Sequence, residues 1–305
     1  GALRGNDYTF MAMNFIAGGL SVYTVRDIKN RTQIFRSFLF ILLGYTSAIL
    51  AFGLERFAPL DSMLVEFAFA ASNALISPVL TYGLLIFFER LFNITTDLTL
   101  LELSNFDRPL LRELARKAPG TFNHSMTMGT IAETAAEKIG ANSLLARVGA
   151  YYHDIGKTIS PQSFVENQLN NQNLHENLAP DESVAMIVRH VNEGIELAKR
   201  YKLPQELIDF IPMHHGTTVS NYFYEKAKEL YGEAKVDIND YRYPGPKPNT
   251  KETVIVMLAD GCESAVRSIT DPDAQKVENM INNIFNSRLK EGQLDEAPIT
   301  FSDIT

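Results

Sequence analysis

Seven side chains of metal-binding type run in order along the second half of the chain: His124, His153-Asp154, His190, His214-His215 and Asp260. Imidazole nitrogens bind borderline ions such as Fe, Mn or Zn, and a carboxylate can bridge two of them. The chemistry such a set could perform is hydrolysis at a two-metal centre. The His-Asp pair alone is weak evidence: with 6 His in 305 residues, chance supplies roughly one such pair in every three or four chains. The ordered set carries the weight. Seven ligands are also too many for one closed tetrahedral zinc site, which would more often use cysteine.

Each member has a plainer reading beside it. His124 lies early in a helix next to Ser125 and the small or apolar run Met126 to Ile131, where a core histidine is the commoner outcome. His153 and Asp154 end a helix whose apolar face is set by Leu144, Leu145, Val148 and Tyr152. Adjacent helical residues point about 100° apart, but at a helix end they can converge on neighbouring ions, with Asp154 as the bridge. Gly156 reads as the stop of that helix. Lys157 then places an ammonium where a phosphate would sit, or merely solvates the helix end. His190 falls between Val188 and Val191 on the 181–201 helix, and His214-His215-Gly216 again ends a helix. Asp260 follows the buried-looking run Val254 to Ala259, where an ionised carboxylate is costly unless paired or metal-bound. Arg267, two turns further on the same face, could reach a phosphate or form a surface salt bridge. His175 lies in a polar loop and reads as outside the site. Cys262 reads as a small apolar residue; as the sole cysteine it excludes an intramolecular disulfide and suits a reducing compartment.

The elements that must position these residues are helical. Asp107-Arg108-Pro109 fits a helix start with Asp107 as cap, and further helices are expected over about 121–139, 143–155, 181–201, 204–215, 219–231, 253–268 and 272–290. Residues 236–250 read as loop. No alternating run is long enough for a sheet, so the fold class is all-α. Upstream, Tyr8–Val25, Ser37–Leu54 and Ser62–Phe88 are candidate membrane spans, the third long enough to kink at Pro78. Arg26, Lys29, Arg31 and Arg36 follow the first span whereas the next loop offers only Arg56, which places the first loop and everything after Arg90 on the cytoplasmic side. The expected division is therefore 1–92 for the membrane part and 93–305 for a cytoplasmic helical domain. The chain reads as the C-terminal piece of a longer protein. A formal charge of −8 argues against a polymeric nucleic acid as partner.

The ordering His … His-Asp … His … His-His … Asp resembles the HD-domain phosphohydrolases. The surrounding text is similar to the seven-transmembrane-receptor HD subfamily, which hydrolyses cyclic di-AMP. The matching stretches are Phe88 to Asp97, Ala118 to Ser125, Tyr152 to Lys157, Phe164 to Gln168, His214 to Thr218, Tyr243 to Pro248 and Leu258 to Asp260. The resemblance implies a helical transmembrane segment followed by an HD phosphohydrolase bundle, with the three spans as the last three of the family's set. It implies one metal on His124, His153, Asp154 and Asp260, and a second on Asp154, His190 and His214. His215 is either a ligand of the second ion or lies behind it. Mn or Fe suits this sulfur-free set. Asp154 and Lys157 are the expected catalytic residues; Lys157, Thr217 and Arg267 are the candidate substrate contacts. The expected activity is cyclic di-AMP phosphodiesterase yielding linear pApA. Expected partners are the cyclic dinucleotide and the lipid bilayer, with a homodimer left open. The cyclic di-GMP branch would carry Gly-Tyr-Pro after the double histidine; here Gly216-Thr217-Thr218 stands there, and Tyr243-Pro244-Gly245 is a different order in a loop.

Overall fold

The computed structural model describes residues 8–26, 31–92, 94–168, 173–304. Lys29 and Asn93 lie outside the described residues, as does the side chain of Arg31. The described chain is all-α. Its helices are α1 (Tyr8–Val25), α2 (Ser37–Glu55), α3 (Leu60–Phe92), α4 (Asp97–Leu103), α5 (Pro109–Lys117), α6 (Pro119–Lys138), α7 (Ser143–Tyr152), α8 (Pro180–Arg200), α9 (Gln205–Met213), α10 (Asn221–Tyr231), α11 (Lys251–Arg267) and α12 (Ala274–Lys290). They form two compact units, residues 1–102 and 103–305, where the sequence suggested a division at 92/93.

In the first unit α2 packs on both α1 and α3 around Ala17, Ile41, Tyr45, Ile49, Ala70 and Ala74. Gly44 permits the approach of α1 and α2, since a Cβ there would lie 2.8 Å from the Ala17 Cα. Among the described residues two helical stretches, Ile34–Glu55 and Leu60–Glu89, are long and apolar enough to cross a bilayer. α1 is helical over the expected residues but falls short as a span, because its 18 residues include Thr9, Asn14, Ser21 and Thr24 as well as two glycines. The two apolar stretches are only 33% and 17% buried within the protein, with Leu39, Leu43, Leu50, Phe69 and Leu80 turned outward. Core helices of a water-soluble domain would hide those faces; lipid accepts them.

The second unit is a bundle whose core includes Leu111, Leu114, Met128, Tyr152, Ile155, Leu207, Phe210, Ile211 and Met257. α6 packs on α7, and α11 lies against α6, α7 and α9. Local details depart from sequence expectation for identifiable reasons. α5 has Arg108, not Asp107, at its N-cap position and takes no side-chain cap there. α7 is capped by Asn142, whose Oδ1 accepts from the Leu145 N–H at 2.9 Å, but ends at Tyr152 rather than Ile155. The chain then tightens into a 3₁₀ turn over Ile155–Thr158, which packs on α8. α10 begins only at Asn221 because Val219 pairs with Arg242 in an isolated antiparallel bridge, the one strand-like contact of the loop after α10.

Gly156 does not act as a helix stop. Its backbone abuts α8 directly: a Cβ would stand 1.9 Å from the His190 carbonyl oxygen and 2.7 Å from the Gly194 nitrogen. Neither neighbour is the flexible end of a side chain, so the helix must move. Gly156→Ala should therefore destabilise the second unit by about 3 kcal/mol, read as a lowered Tm in thermal unfolding; a Tm within about 1 °C of the parent would mean that α8 yields without cost.

Candidate metal centre

The bundle brings all seven metal-type residues into one buried cluster. His124 and Asp260 come from α6 and α11, His190 from the middle of α8, and His153, Asp154, His214 and His215 from just beyond the ends of α7 and α9. They fall into two groups, His124 with His153 and Asp260, and Asp154 with His190, His214 and His215; within each, the potential donor atoms lie within 4.8 Å of one another.

Asp154 joins the groups. Its Oδ2 is 3.2 Å from His153 Nε2 and 4.0 Å from His124 Nε2. Its Oδ1 is 3.4 Å from His190 Nε2 and 3.6 Å from His214 Nε2. The Asp260 Oδ1 stands 3.1 Å from His124 Nε2. Two ligands of one ion, each about 2.1 Å from it, are about 3.0–3.4 Å apart at tetrahedral or octahedral angles, so most of these separations suit shared coordination.

The ring tautomers point the same way. Nδ1 of His153 lies 2.6 Å from the Ala150 carbonyl, Nδ1 of His190 2.6 Å from that of Ile187, and Nδ1 of His214 3.0 Å from that of Phe210. A carbonyl oxygen can only accept, so each Nδ1 carries the proton and each Nε2 presents a bare lone pair. Those three Nε2 atoms, that of His215, and Asp154 Oδ1 are buried without a hydrogen-bond partner. Lone pairs facing lone pairs in a dry interior need a cation between them, and a divalent metal fits this donor set.

The ionisation of the pocket follows. Burial, reinforced by His153, holds the His214 imidazole down at about 3, and burial with His214 keeps His215 well below the usual range. Burial alone would raise Asp154, but Lys157 and His153 overcome it and keep the carboxylate far below its ordinary value. His124 is the exception: burial opposes its charge, yet Asp260 and Glu263 raise it to about 10. Its Nδ1 is 2.7 Å from Glu263 Oε2.

Lys157 is part of this cluster and not a solvated helix end. Its ammonium lies 2.6 Å from Asp154 Oδ2, 2.9 Å from Glu166 Oε1 and 4.9 Å over the Phe164 ring. Burial would lower it, but the two carboxylates raise it instead. Glu166 Oε1 also accepts from the Thr121 hydroxyl at 3.0 Å, which ties the start of α6 to Lys157. Arg267 is paired with Glu263, and its Nη2 reaches to 3.1 Å from His124 Nδ1. A cavity of about 690 Å³ opens beside His124, lined by Asn123, Thr127, Lys157, Glu166, Glu263 and Arg267 among others. Thr217 lies elsewhere: its N–H donates to Gln293 Oε1 at 3.0 Å and its hydroxyl accepts from Gln293 Nε2 at 3.0 Å, so its polar atoms are already engaged. His175 is buried with Nε2 2.8 Å from the Ser163 carbonyl, outside both donor groups. Burial pushes the Cys262 thiol up to about 11, away from a reactive thiolate. Sequence reasoning missed Glu263 and Glu166. Glu263 had a signal, since it lies between Asp260 and Arg267 on the same face of α11.

In the metal-free protein His124 holds a proton at neutral pH, and it must lose that proton to offer Nε2 as a ligand. Loading with Mn(II) at pH 7–8 should therefore release about one proton, with apparent affinity rising as pH climbs towards 10. Calorimetry in buffers of different ionisation enthalpy measures the proton count; a pH-independent affinity with no release would contradict the raised His124.

With this geometry in view, the comparisons with known proteins agree on the relationship. A family model described as "HD domain" matches residues 121–265, and one described as "7TM receptor with intracellular HD hydrolase" matches residues 1–96. The cyclic-di-AMP phosphodiesterase PgpH of Listeria monocytogenes serotype 1/2a (strain 10403S) is 42% identical over 303 residues, covering 98% of this chain and 42% of the relative. PgpH of Bacillus subtilis (strain 168) is 45% identical over 228 residues, covering 75% and 32%. The chain thus spans less than half the length of these curated relatives. The crystal structure of the L. monocytogenes PgpH HD domain in complex with cyclic-di-AMP superposes with a TM-score of 0.64 at 48% identity, covering 66% of this chain and 93% of that one. The chain belongs to the HD-domain family, as a homologue of PgpH among the 7TM receptors with an intracellular HD hydrolase.

Proposed function

We propose that this chain is a metal-dependent phosphodiesterase that opens cyclic di-AMP to linear pApA. The observation that carries the reading is Asp154, whose two oxygens face two separate sets of bare imidazole nitrogens beside a cavity wide enough for a nucleotide. Its likeness to a domain solved with cyclic-di-AMP supports the choice of substrate. On this reading His124, His153, Asp154 and Asp260 hold one ion, and Asp154, His190, His214 and His215 the other. Mn or Fe suits a sulfur-free, histidine-rich set. When bound, the two ions would activate the attacking water and neutralise charge on the phosphoryl oxygens.

The chain's own residues do the rest. The buried imidazoles keep the centre dry, and main-chain carbonyls fix His153, His190 and His214 in place. Lys157, held by Glu166, keeps a positive charge next to Asp154, where a phosphoryl oxygen gains negative charge as the water oxygen bonds phosphorus and the bond to the ribose 3′ oxygen breaks. Arg267, half-exposed at the cavity wall, offers a guanidinium edge to the second phosphate or to the approaching dianion. Upstream, we place residues 1–92 in the bilayer as the membrane tether. The charges Arg26, Lys29, Arg31 and Arg36 set the catalytic domain, from residue 93, on the cytoplasmic side.

Product analysis of the full chain in detergent with Mn(II), offering cyclic di-AMP and cyclic di-GMP side by side, tests the assignment. Conversion of cyclic di-AMP to pApA, abolished by Asp154→Ala, is expected; preferential turnover of cyclic di-GMP, or none of either despite bound metal, would sink it. Lys157→Ala should leave both metal sites able to load and lower kcat by about 10²–10³-fold, as measured under substrate saturation. A kcat within about twofold of the parent would remove Lys157 from the chemistry.

A further inference from the structure

His215 is held differently from three other imidazoles of the site. His153, His190 and His214 each have a ring nitrogen anchored on a main-chain carbonyl. Neither ring nitrogen of His215 has a hydrogen-bond partner among the described residues, and its Nε2 is buried and unpaired. A side chain with two free torsions and no anchor would not offer its nitrogen reliably. Instead, the Tyr243 ring lies flat against it, with centroids 3.8 Å apart and planes 15° from parallel, while His214 closes the arrangement at 3.8 Å and 43°.

The backbone holds Tyr243 there. The Ser220 N–H donates to the Tyr241 carbonyl at 2.8 Å, the Tyr243 N–H to the Thr218 carbonyl at 2.9 Å, and Arg242 Nη1 to the Thr217 carbonyl at 2.8 Å. The loop is thus sewn to the four residues that directly follow His215 and Gly216. Gln293 fastens the same stretch from the other side through Thr217. The same arrangement packs Tyr241 and Val219 against Val184, Phe223 and Ala227. At the site it fixes one aromatic face against one imidazole.

We propose that Tyr243 is the positioning residue of His215: by stacking, it sets the imidazole as a donor to the second metal ion, the office that carbonyl oxygens perform for His153, His190 and His214. The proposal rests on the two-ion reading of the site. It makes the Tyr243 loop a functional part of the metal centre. The aromatic face does this work, so phenylalanine should substitute for tyrosine and an aliphatic residue of similar bulk should not.

The test is Mn(II) binding to the full chain in detergent, followed by the EPR signal of free Mn(II) in competition with a chelator. Parent, Tyr243→Phe, Tyr243→Leu and His215→Ala are compared, and circular dichroism and Tm of the metal-free forms serve as the folding control. The parent should bind two ions. Tyr243→Phe should match it within about twofold, while Tyr243→Leu should keep the first ion and bind the second about 10–100-fold more weakly, as His215→Ala does. Equal affinity of Tyr243→Leu and parent for both ions would overturn the proposal. So would matched weakening of both ions, or loss in Tyr243→Phe as large as in Tyr243→Leu, since a general structural defect or the hydroxyl would then be responsible. A parent that binds fewer than two ions would overturn the two-ion reading itself, a failure visible before any variant is compared.

Discussion

A buried carboxylate surrounded by bare imidazole lone pairs is the constraint on which the second unit turns. Asp154 is almost wholly buried, and its Oδ1 has no hydrogen-bond donor. The nearest groups, His190 and His214, point nitrogens at it whose protons have been drawn to the opposite side of the ring by Ile187 and Phe210 carbonyls. In a low-dielectric interior, acceptor against acceptor is unfavourable unless positive charge stands between them. The fold leaves that deficit open on one oxygen and partly fills it on the other, where Lys157 reaches Oδ2. The neutrality of His214 and His215 is part of the same design, because imidazolium nitrogens could not serve as donors.

Where the residues sit in their helices explains how seven donors meet in one place. A helix turns successive side chains about 100° apart, so one helix seldom gives two adjacent residues to one point. α6, α8 and α11 each supply a single member of the two donor groups from within the helix. The two adjacent pairs come from just past helix ends, His153-Asp154 beyond α7 and His214-His215 beyond α9, where the regular rotation is broken. The 3₁₀ turn after Asp154 then has to lie against α8, and Gly156 is what lets the two backbones touch at His190. A single close approach thereby registers the bridging aspartate against the histidine of the next helix.

The donors were legible in the sequence because metal chemistry restricts residue type, and their order was enough to find them. Their orientation was not legible. The anchors of His153, His190 and His214 are main-chain carbonyls, which every residue has and no residue type announces. Lys157 read equally well as a solvated helix end, since its partner Glu166 lies in a loop whose path cannot be derived from periodicity. Gly156 read as a terminator because glycine signals a stop and a close contact with the same letter. α1 reads as a candidate span although it is short and polar, and in the structure its helix packs on α2 without being apolar enough to count among the two spanning stretches. The helical bundle itself was plain, since long amphipathic segments need only a 3.6-residue repeat to declare themselves.

The two cationic side chains beside the cavity, Lys157 and Arg267, are held differently. Lys157 is gripped by two carboxylates, so engagement of Asp154 by metal ions leaves Glu166 to keep the ammonium in place. Its charge is therefore a fixed feature of the centre. Arg267 has a single carboxylate partner, Glu263, which also holds the His124 ring, and its side chain is 46% exposed. One side of the guanidinium is committed to keeping Glu263 against His124, and the other borders the cavity. On the proposed reading, an anion entering there would meet the half-exposed Arg267 before the buried Lys157. Lys157 is neutralised by Asp154 and Glu166 in the metal-free protein, so on the proposed reading its pull on a phosphate would be felt only once metal ions engage Asp154, in dry surroundings that strengthen the Coulomb attraction.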